Sequence, residues 1–361
     1  MKILIIGFTK LKYMPYIHFY LDQIDSMRND IHVLYWNRDG KNEDKDNSIN
    51  YHEFSCVQQD DVPKYKKIIN FIKYRKFVTS ILKCNKFDLI FVLHSIPGVL
   101  CYDILISNYN QKYIFDYRDY TYENISIFRN VVMRLSNHSY ATFVSSNAFR
   151  IVLPKINKIY TSHNILLDSL KYRNGFHSIR KKIIKIAFWG FIRHEKINKE
   201  IIKKIAGDRR FELHYYGREQ SIALNLKKYS QNINAENVYF HGEYTPEERY
   251  AFAKKTDIIH NIYSNDEMPH TKYAIGNKYY DGIIFKIPQI CMPDSYMGKA
   301  VTTAGVGLEC NPYSENFPND IWEYYQRLSF DHFSAKCDKE LERILNEYMQ
   351  GAEIIKNAIH M

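Results

Sequence analysis

Ile183-Ile184-Lys185-Ile186-Ala187-Phe188-Trp189-Gly190-Phe191-Ile192-Arg193-His194-Glu195-Lys196 reads as a buried strand, a glycine turn and the approach to a helix. Ile183–Trp189 is β-branched and aromatic apart from Lys185 and Ala187, and it stops at Gly190, as a strand covered on both faces does. Helical spacing follows over 197–206. Outward from this unit the same alternation repeats. Before it, strands are predicted at Lys2–Gly7, Ile31–Trp36, Asp88–His94, Lys112–Tyr117 and Tyr140–Ser145, with helices at 13–28, 62–86 and 98–108. After it come strands at Phe211–Tyr216, Val238–His241, Asp257–Tyr263, Pro288–Met292 and Val306–Glu309. Helices fill 219–229, 246–256, 277–285 and 294–303, and 316–359 is helical with few breakers.

Strand and helix in alternation imply a mostly parallel sheet covered on both faces. The pattern restarts after the polar, basic stretch Leu170–Lys182, so the fold class is α/β with two doubly wound domains. The expected division is 1–172, 173–340 and a closing helix, 341–361, that packs back on the first domain. Ligands of such sheets bind beyond the carboxyl ends of the strands, and two sheets facing a cleft suit a two-substrate reaction. Asp39–Asn50 is the most polar segment and is expected to be a solvated loop.

Composition narrows the class. The chain has 361 residues, 45% of them hydrophobic and 25% charged, with 14 Gly and 10 Pro, which excludes collagen-like and disordered chains. The net charge of +10 suits an anionic ligand or surface. Tyr reaches 31 residues and Ile and Lys are also frequent, in part a coding bias, so single residues of these types carry little weight. The six cysteines are scattered and form no CxxC pair, so free thiols in a reducing compartment are expected. Ile3–Ile6 is too short for a signal peptide core and no run is long enough to span a bilayer. The expectation is a cytoplasmic protein that touches a membrane only from its surface.

The first strand leads into GFTKLKY, with a single Gly, so the dinucleotide fingerprint fails; phosphate-loop, GxSxG and HExxH signatures are also absent. Asp44-Lys45-Asp46 has the DxD form of metal-dependent sugar transferases but lies inside a charged loop. Three segments of the second half carry chemistry. At Gly190, a strand end close to a helix start, backbone N–H groups together with Arg193 and Lys196 make an anion site. At Gly276-Asn277-Lys278-Tyr279-Tyr280-Asp281-Gly282, Asn277 is the expected N-cap. Asp281, a turn further on, reads either as an acceptor for ribose hydroxyls or as a complement to the helix dipole. At His241-Gly242-Glu243-Tyr244-Thr245-Pro246-Glu247-Glu248, Thr245 and Glu248 form a capping box, and the loop can also line a base pocket.

In order and spacing these segments resemble the nucleotide-sugar domain of GT-B glycosyltransferases, most closely the retaining family 4. Gly190 and Lys196 keep the family's six-residue offset. The family's Arg directly after the Gly is Phe191 here, so Arg193 takes its part. His241–Glu248 resembles the next strand–loop–helix. Asn277-Lys278-Tyr279-Tyr280-Asp281 followed by Lys286-Ile287-Pro288-Gln289-Ile290 resembles its Pro-Asn-Lys-x-x-Glu and G-x-P-x-I run, with Asp281 for the ribose-binding Glu. The second Glu that many members carry eight positions earlier is Tyr273. In the first half, Phe115–Asp119, Ala141–Phe149 and Ser162-His163-Asn164 are similar to acceptor-domain segments.

The resemblance implies two Rossmann-like domains facing a cleft and transfer of a hexosyl or other glycosyl group, with retention and without a metal. The donor is a UDP- or GDP-linked sugar. The acceptor is a saccharide or polyprenyl-linked saccharide of bacterial surface or capsular polysaccharide. The implied donor site comprises Gly190, Arg193, Lys196, Gly217, Tyr244, Asn277, Lys278 and Asp281. In the first domain His94 and Asp119, each near a strand's carboxyl end, are the candidate catalytic residues, although a turn hydrogen bond explains His94 equally and Arg118 reads as the partner of Asp116.

Residues 62–86 hold eight cations and no acid, and Ile68, Ile72, Val78 and Leu82 are expected on one apolar face. Such a helix suits either an anionic leaflet, which makes the protein peripheral to the inner plasma membrane, or plain packing on the sheet. Nucleic acid is not expected, because no helix-turn-helix or RNA-binding pattern accompanies the basic residues. A nucleotide-sugar 2-epimerase of the same fold and a non-catalytic nucleotide-binding subunit remain the alternatives. The epimerase needs acid and base carboxylates around the sugar, and no such set stands out.

Overall fold

The structure is a computed structural model that describes residues 1–58, 63–173, 181–245, 247–267 and 269–361. Most of the predicted linker between the two halves therefore lies outside the described residues, as do Val62 of the predicted helix 62–86 and Pro246 of the capping segment. The chain divides into two units, Met1–His163 with Leu345–Met361, and Asn164–Ile344.

Unit 1 holds a seven-stranded sheet of β1 (Lys2–Ile6), β2 (Asp30–Asn37), β3 (Asn50–Ser55), β4 (Leu89–Leu93), β5 (Tyr113–Tyr117), β6 (Ala141–Val144) and β7 (Ile159–Thr161). The order is β3-β2-β1-β4-β5-β6-β7 and all pairings are parallel. Strand order reverses between β1 and β4, both buried along almost their whole length. From Leu345 on, the last helix (Phe330–Ile359) belongs to this unit: Tyr348 meets Phe19 with ring centroids 4.8 Å apart, and Glu347 pairs with His163 at 2.9 Å.

Unit 2 holds β8 (Ile184–Trp189), β9 (Phe211–Tyr216), β10 (Val238–Phe240), β11 (Ile258–Asn261), β12 (Gln289–Cys291) and β13 (Gly307–Glu309) in the order β10-β9-β8-β11-β12-β13, again parallel throughout. Its switch point lies between β8 and β11. The helix Glu195–Ile205 buries Ile197, Ile201, Ile202 and Ile205, the i, i+4, i+5, i+8 stripe that an amphipathic helix turns to a sheet. The two doubly wound sheets are those expected from the alternation.

Several expectations change. The helix predicted over 13–28 is two 3-10 turns, Leu11–Tyr13 and Pro15–Ile17, and the 4-residue helix His18–Leu21. Asn50–Ser55, where no strand is predicted and the expected polar loop ends at Asn50, is β3, an edge strand pairing with β2. The loop before it is not simply solvated. Glu43 accepts from the N–H groups of Leu11 and Lys12, both at 3.1 Å, and Asp39 takes the ammonium of the buried Lys10 at 2.5 Å. The apolar face expected from Ile68, Ile72, Val78 and Leu82 is split. In the helix Lys64–Cys84, Val78 and Leu82 are buried with Tyr74, whereas Ile68 and Ile72 point to solvent. The four positions span about 120° of the helix at ~100° per residue, and the buried arc is centred on Val78, with Tyr74 and Leu82 to either side. All six cysteines are free thiols. Among the described residues no helix is long and apolar enough to cross a membrane.

Candidate functional site

The carboxyl edge of the second sheet is built by two close approaches. Gly190 has φ 116°, a conformation that favours glycine, and its N–H donates to Tyr216 O at 3.0 Å. A Cβ on Gly217 would stand 2.2 Å from Gly190 O, so only glycine lets the ends of β8 and β9 meet. Beyond Gly190 the loop is held from below by Asn198. Its Nδ2 donates to Arg193 O (2.8 Å) and His194 O (2.9 Å), and its Oδ1 accepts from Tyr215 Oη (2.9 Å) and His260 Nε2 (3.0 Å). The Ile262 N–H donates to His260 Nδ1, which leaves the ring proton on Nε2. Burial, then Lys278 and His194, push His260 down to about 3, so it stays neutral. Nothing in the sequence singled out Asn198 or His260; each is an ordinary polar residue until three elements converge on it.

Two helix N-termini end at this edge, and they differ. The helix Glu195–Ile205 is closed by Glu267, whose carboxylate accepts from Lys196 N (3.3 Å) and Ile197 N (3.2 Å). The amide groups reserved for an anion in the sequence reading are thus taken by the protein's own carboxylate. Arg193 and Lys196 remain exposed, with the Arg193 guanidinium 4.6 Å from the Phe191 ring.

The helix Asn277–Phe285 has Gly276 at its N-cap, and no side chain caps it among the described residues. Asn277 is therefore the first helical residue, not the cap, because Gly276 takes the extended cap conformation. One position further, Lys278 is buried, 5% exposed. Its Nζ donates to Tyr263 Oη at 2.5 Å and lies 3.9 Å from the Phe188 ring centroid. Among the described residues no carboxylate forms an ion pair with it. Lys278 thus bridges β8 and the end of β11 at the switch point, with positive charge beneath an uncapped N-terminus.

Asp281 lies a turn below and is buried, 4% exposed. Its Oδ2 accepts from Trp189 Nε1 at 2.8 Å, and its Oδ1 is 3.5 Å from Arg249 Nη1. Burial raises its pKa against the pull of Arg249. Both oxygens are thus engaged inside the unit. Tyr244 packs edge-on against Phe252 at 5.1 Å and is pushed up to about 12, by burial first and then by the Asp281 charge. Thr245 and Glu248 make the expected capping box: Thr245 N donates to Glu248 Oε2 at 2.6 Å and Glu248 N to Thr245 Oγ1 at 3.4 Å.

In unit 1 the two candidates from separate segments meet. His94 ends β4 with φ 91°, a conformation costly for any residue but glycine. Its Nδ1 accepts from Ile96 N at 3.2 Å and its Nε2 lies 3.4 Å from Asp119 Oδ2. The Ile96 donor fixes the neutral ring's proton on Nε2, facing the carboxylate. Asp119 is exposed and His94 half-buried. Arg118 is the structural partner of Asp116, donating from Nε at 2.8 Å in a fully buried pair, and its Nη2 donates to Ser162 Oγ at 3.0 Å. The turn after Asp119 is anchored by Glu123, which is fully buried and accepts from Thr121 N, while Thr121 Oγ1 bonds Ser95 Oγ at 3.0 Å.

No family model matches the chain, and no curated protein matches it in sequence. Solved structures match in fold along its full length. Sucrose-phosphate synthase of Thermosynechococcus elongatus superposes with a TM-score of 0.73 at 11% identity, covering 100% of this chain and 99% of that one. The lipopolysaccharide outer core galactosyltransferase WaaB gives 0.65 at 12%, covering 100% and 99%. HepE of Anabaena, solved with UDP and glucose, gives 0.65 at 12%, covering 98% of each chain. At such identities the likeness speaks for fold alone, and the fold of this chain is the α/β GT-B fold of the glycosyltransferases it matches.

Proposed function

We propose that the protein is a glycosyltransferase that binds a nucleotide-activated sugar in unit 2 and positions an acceptor hydroxyl with His94 and Asp119 of unit 1. The observation that carries the reading is Lys278. A buried ammonium without a carboxylate is costly unless an anion arrives to pair with it, and here it sits under an uncapped helix N-terminus, which favours phosphate. The fold-mate solved with UDP and UDP-glucose supports a nucleoside diphosphate as that anion. Arg193 and Lys196, exposed at the surface, would add their charges to the diphosphate. Together the three cations would stabilise charge on the leaving group as the glycosidic bond breaks, without a metal.

In unit 1 the His94 Nε2 proton would hold the exposed Asp119 carboxylate in place, and that carboxylate would accept the hydrogen bond or proton of an acceptor hydroxyl. Retention at the anomeric carbon and a polysaccharide-building acceptor belong to the same proposal. The test is turnover of UDP- and GDP-sugars with saccharide acceptors. Transfer that falls about 10²–10⁴-fold in His94→Gln and Asp119→Asn, with nucleotide affinity unchanged, supports the roles. Nucleotide binding without transfer or hydrolysis in the parent protein would instead favour a non-catalytic subunit.

A further inference from the structure

The edge strand β13 closes the second sheet on the side away from β10, with β11 and β12 between it and β8. Beside it lies a cleft of about 560 Å³, a volume in the range of small-molecule sites. Its walls are the end of β13, the helix Phe317–Arg327 and the first turns of the helix Phe330–Ile359, all inside unit 2. Asp320, Tyr324 and Arg327 stand at i, i+4, i+7 and share the helix face turned to the cleft. Two atoms of the lining residues, Glu309 Oε1 and Tyr324 Oη, are buried with no hydrogen-bond partner among the described residues. Buried polar atoms are nearly always paired, and neither residue belongs to the donor or acceptor groups described above.

The charges of the cleft are separated. The Glu309 carboxylate lies on the first turn of the helix Tyr296–Ala304, where a Cβ on Gly298 would stand 2.6 Å from its Oε1. Tyr324 shares that end, because it and Glu309 both lie within electrostatic reach of the Cys291 thiol of β12. Burial pushes the Tyr324 phenol up, so it keeps its proton. The Lys336 ammonium stands at the other end of the same helix, where a Cβ on Gly305 would be 2.9 Å from its Nζ. From Gly298 to Gly305, at ~1.5 Å per residue, the two charges are about 10 Å apart. The helix dipole favours an anion at the first end and a cation at the second, so both are held in place. Arg327 is committed to Glu323 at 2.9 Å, whereas Asp320 and Lys336 are exposed and form no ion pair among the described residues. Leu308, Leu328 and Phe333 add apolar surface. A polyamine would bring its second cation against Lys336, and a neutral polyol would leave both charges unpaired. We propose that this cleft binds a small zwitterion, its ammonium on Glu309 and Tyr324 and its carboxylate on Lys336.

Binding here needs no sugar nucleotide and is measured without one. Isothermal titration of the full chain with γ-aminobutyrate and ε-aminocaproate is set against titration with hexylamine and hexanoate, which carry one charge each. The better zwitterion should bind at least about tenfold more tightly than either singly charged compound. Glu309→Gln should weaken it about 10- to 100-fold and leave hexanoate unaffected. Lys336→Met should weaken it by a similar factor and leave hexylamine unaffected. Unchanged melting curves are the folding control, and the exposed position of Lys336 keeps the test open if Glu309→Gln fails to fold. Absence of saturable binding of both zwitterions by the parent overturns the proposal. So does a singly charged compound that binds as tightly, or binding indifferent to both substitutions.

Discussion

Replacing Lys278 by Met gives effects of opposite sign on stability and on binding. Methionine fills a similar volume along the Phe188 ring but carries no charge. The lost cation–π contact at 3.9 Å costs up to about 2 kcal/mol, and the lost hydrogen bond to Tyr263 costs about 1 kcal/mol. Against them stands the desolvation penalty of a buried ion, which is several kcal/mol and disappears with the charge. The ligand-free variant should therefore be no less stable than the parent, and about 1 kcal/mol more stable if desolvation dominates, raising Tm by about 2–4 °C in a unit of this size. Affinity for UDP or GDP, whichever the parent binds, should fall by about 1.5–3 kcal/mol for a charged hydrogen bond, roughly 10- to 150-fold in Kd. Calorimetric melting without ligand and isothermal titration with it read the two terms separately. Melting several degrees lower with unchanged affinity would refute the reasoning and leave Lys278 a structural residue.

Asp281→Asn should cost about 3 kcal/mol in urea unfolding, because Arg249 is left buried without its carboxylate; parental stability would return Asp281 to a ligand role. Glu267→Ala should lower stability by about 1 kcal/mol through loss of a cap, with nucleotide affinity unchanged. Binding that tightened tenfold would show that the carboxylate competes with the diphosphate for those amides. His214 and His241 hydrogen-bond ring to ring at 2.9 Å, and burial lowers both pKa values below 6.5. The unfolded chain then binds more protons in acid, so the pair's contribution is complete above about pH 6.5 and is lost as pH falls below it. His241→Gln should flatten that acid limb of a Tm–pH profile, and an unchanged slope would assign the loss to other groups.

The strands were legible wherever a sheet buries both faces. β1 after Lys2 and β4 are continuous apolar runs, and β8 is one apart from Lys185, because the parallel sheet covers them on each side. β3 and β7 were not legible, since they are the edge strands of the first sheet. β3 is nowhere fully buried, so its residues Asn50–Ser55 carry no apolar run to read.

Gly190 was legible as the turn that ends β8, whereas Gly217 entered only through the family resemblance. What they touch was not legible, because the 2.2 Å clearance that demands Gly217 involves a residue 27 positions away. The chain order also placed His94 and Asp119 near strand ends. It did not pair them, because their 3.4 Å contact depends on β4 and β5 being neighbours in the sheet. Glu267 closing one helix, and Lys278 lying over Phe188 beneath another, are products of the β8–β11 switch point. Side-chain periodicity reports how deeply each residue is buried, so the sequence alone determined the α/β class, the two-unit repeat and the residues at the carboxyl edges. Which of those residues meet, and which buried cation forms no ion pair among the described residues, depends on strand order and long-range packing, and only the tertiary structure decided it.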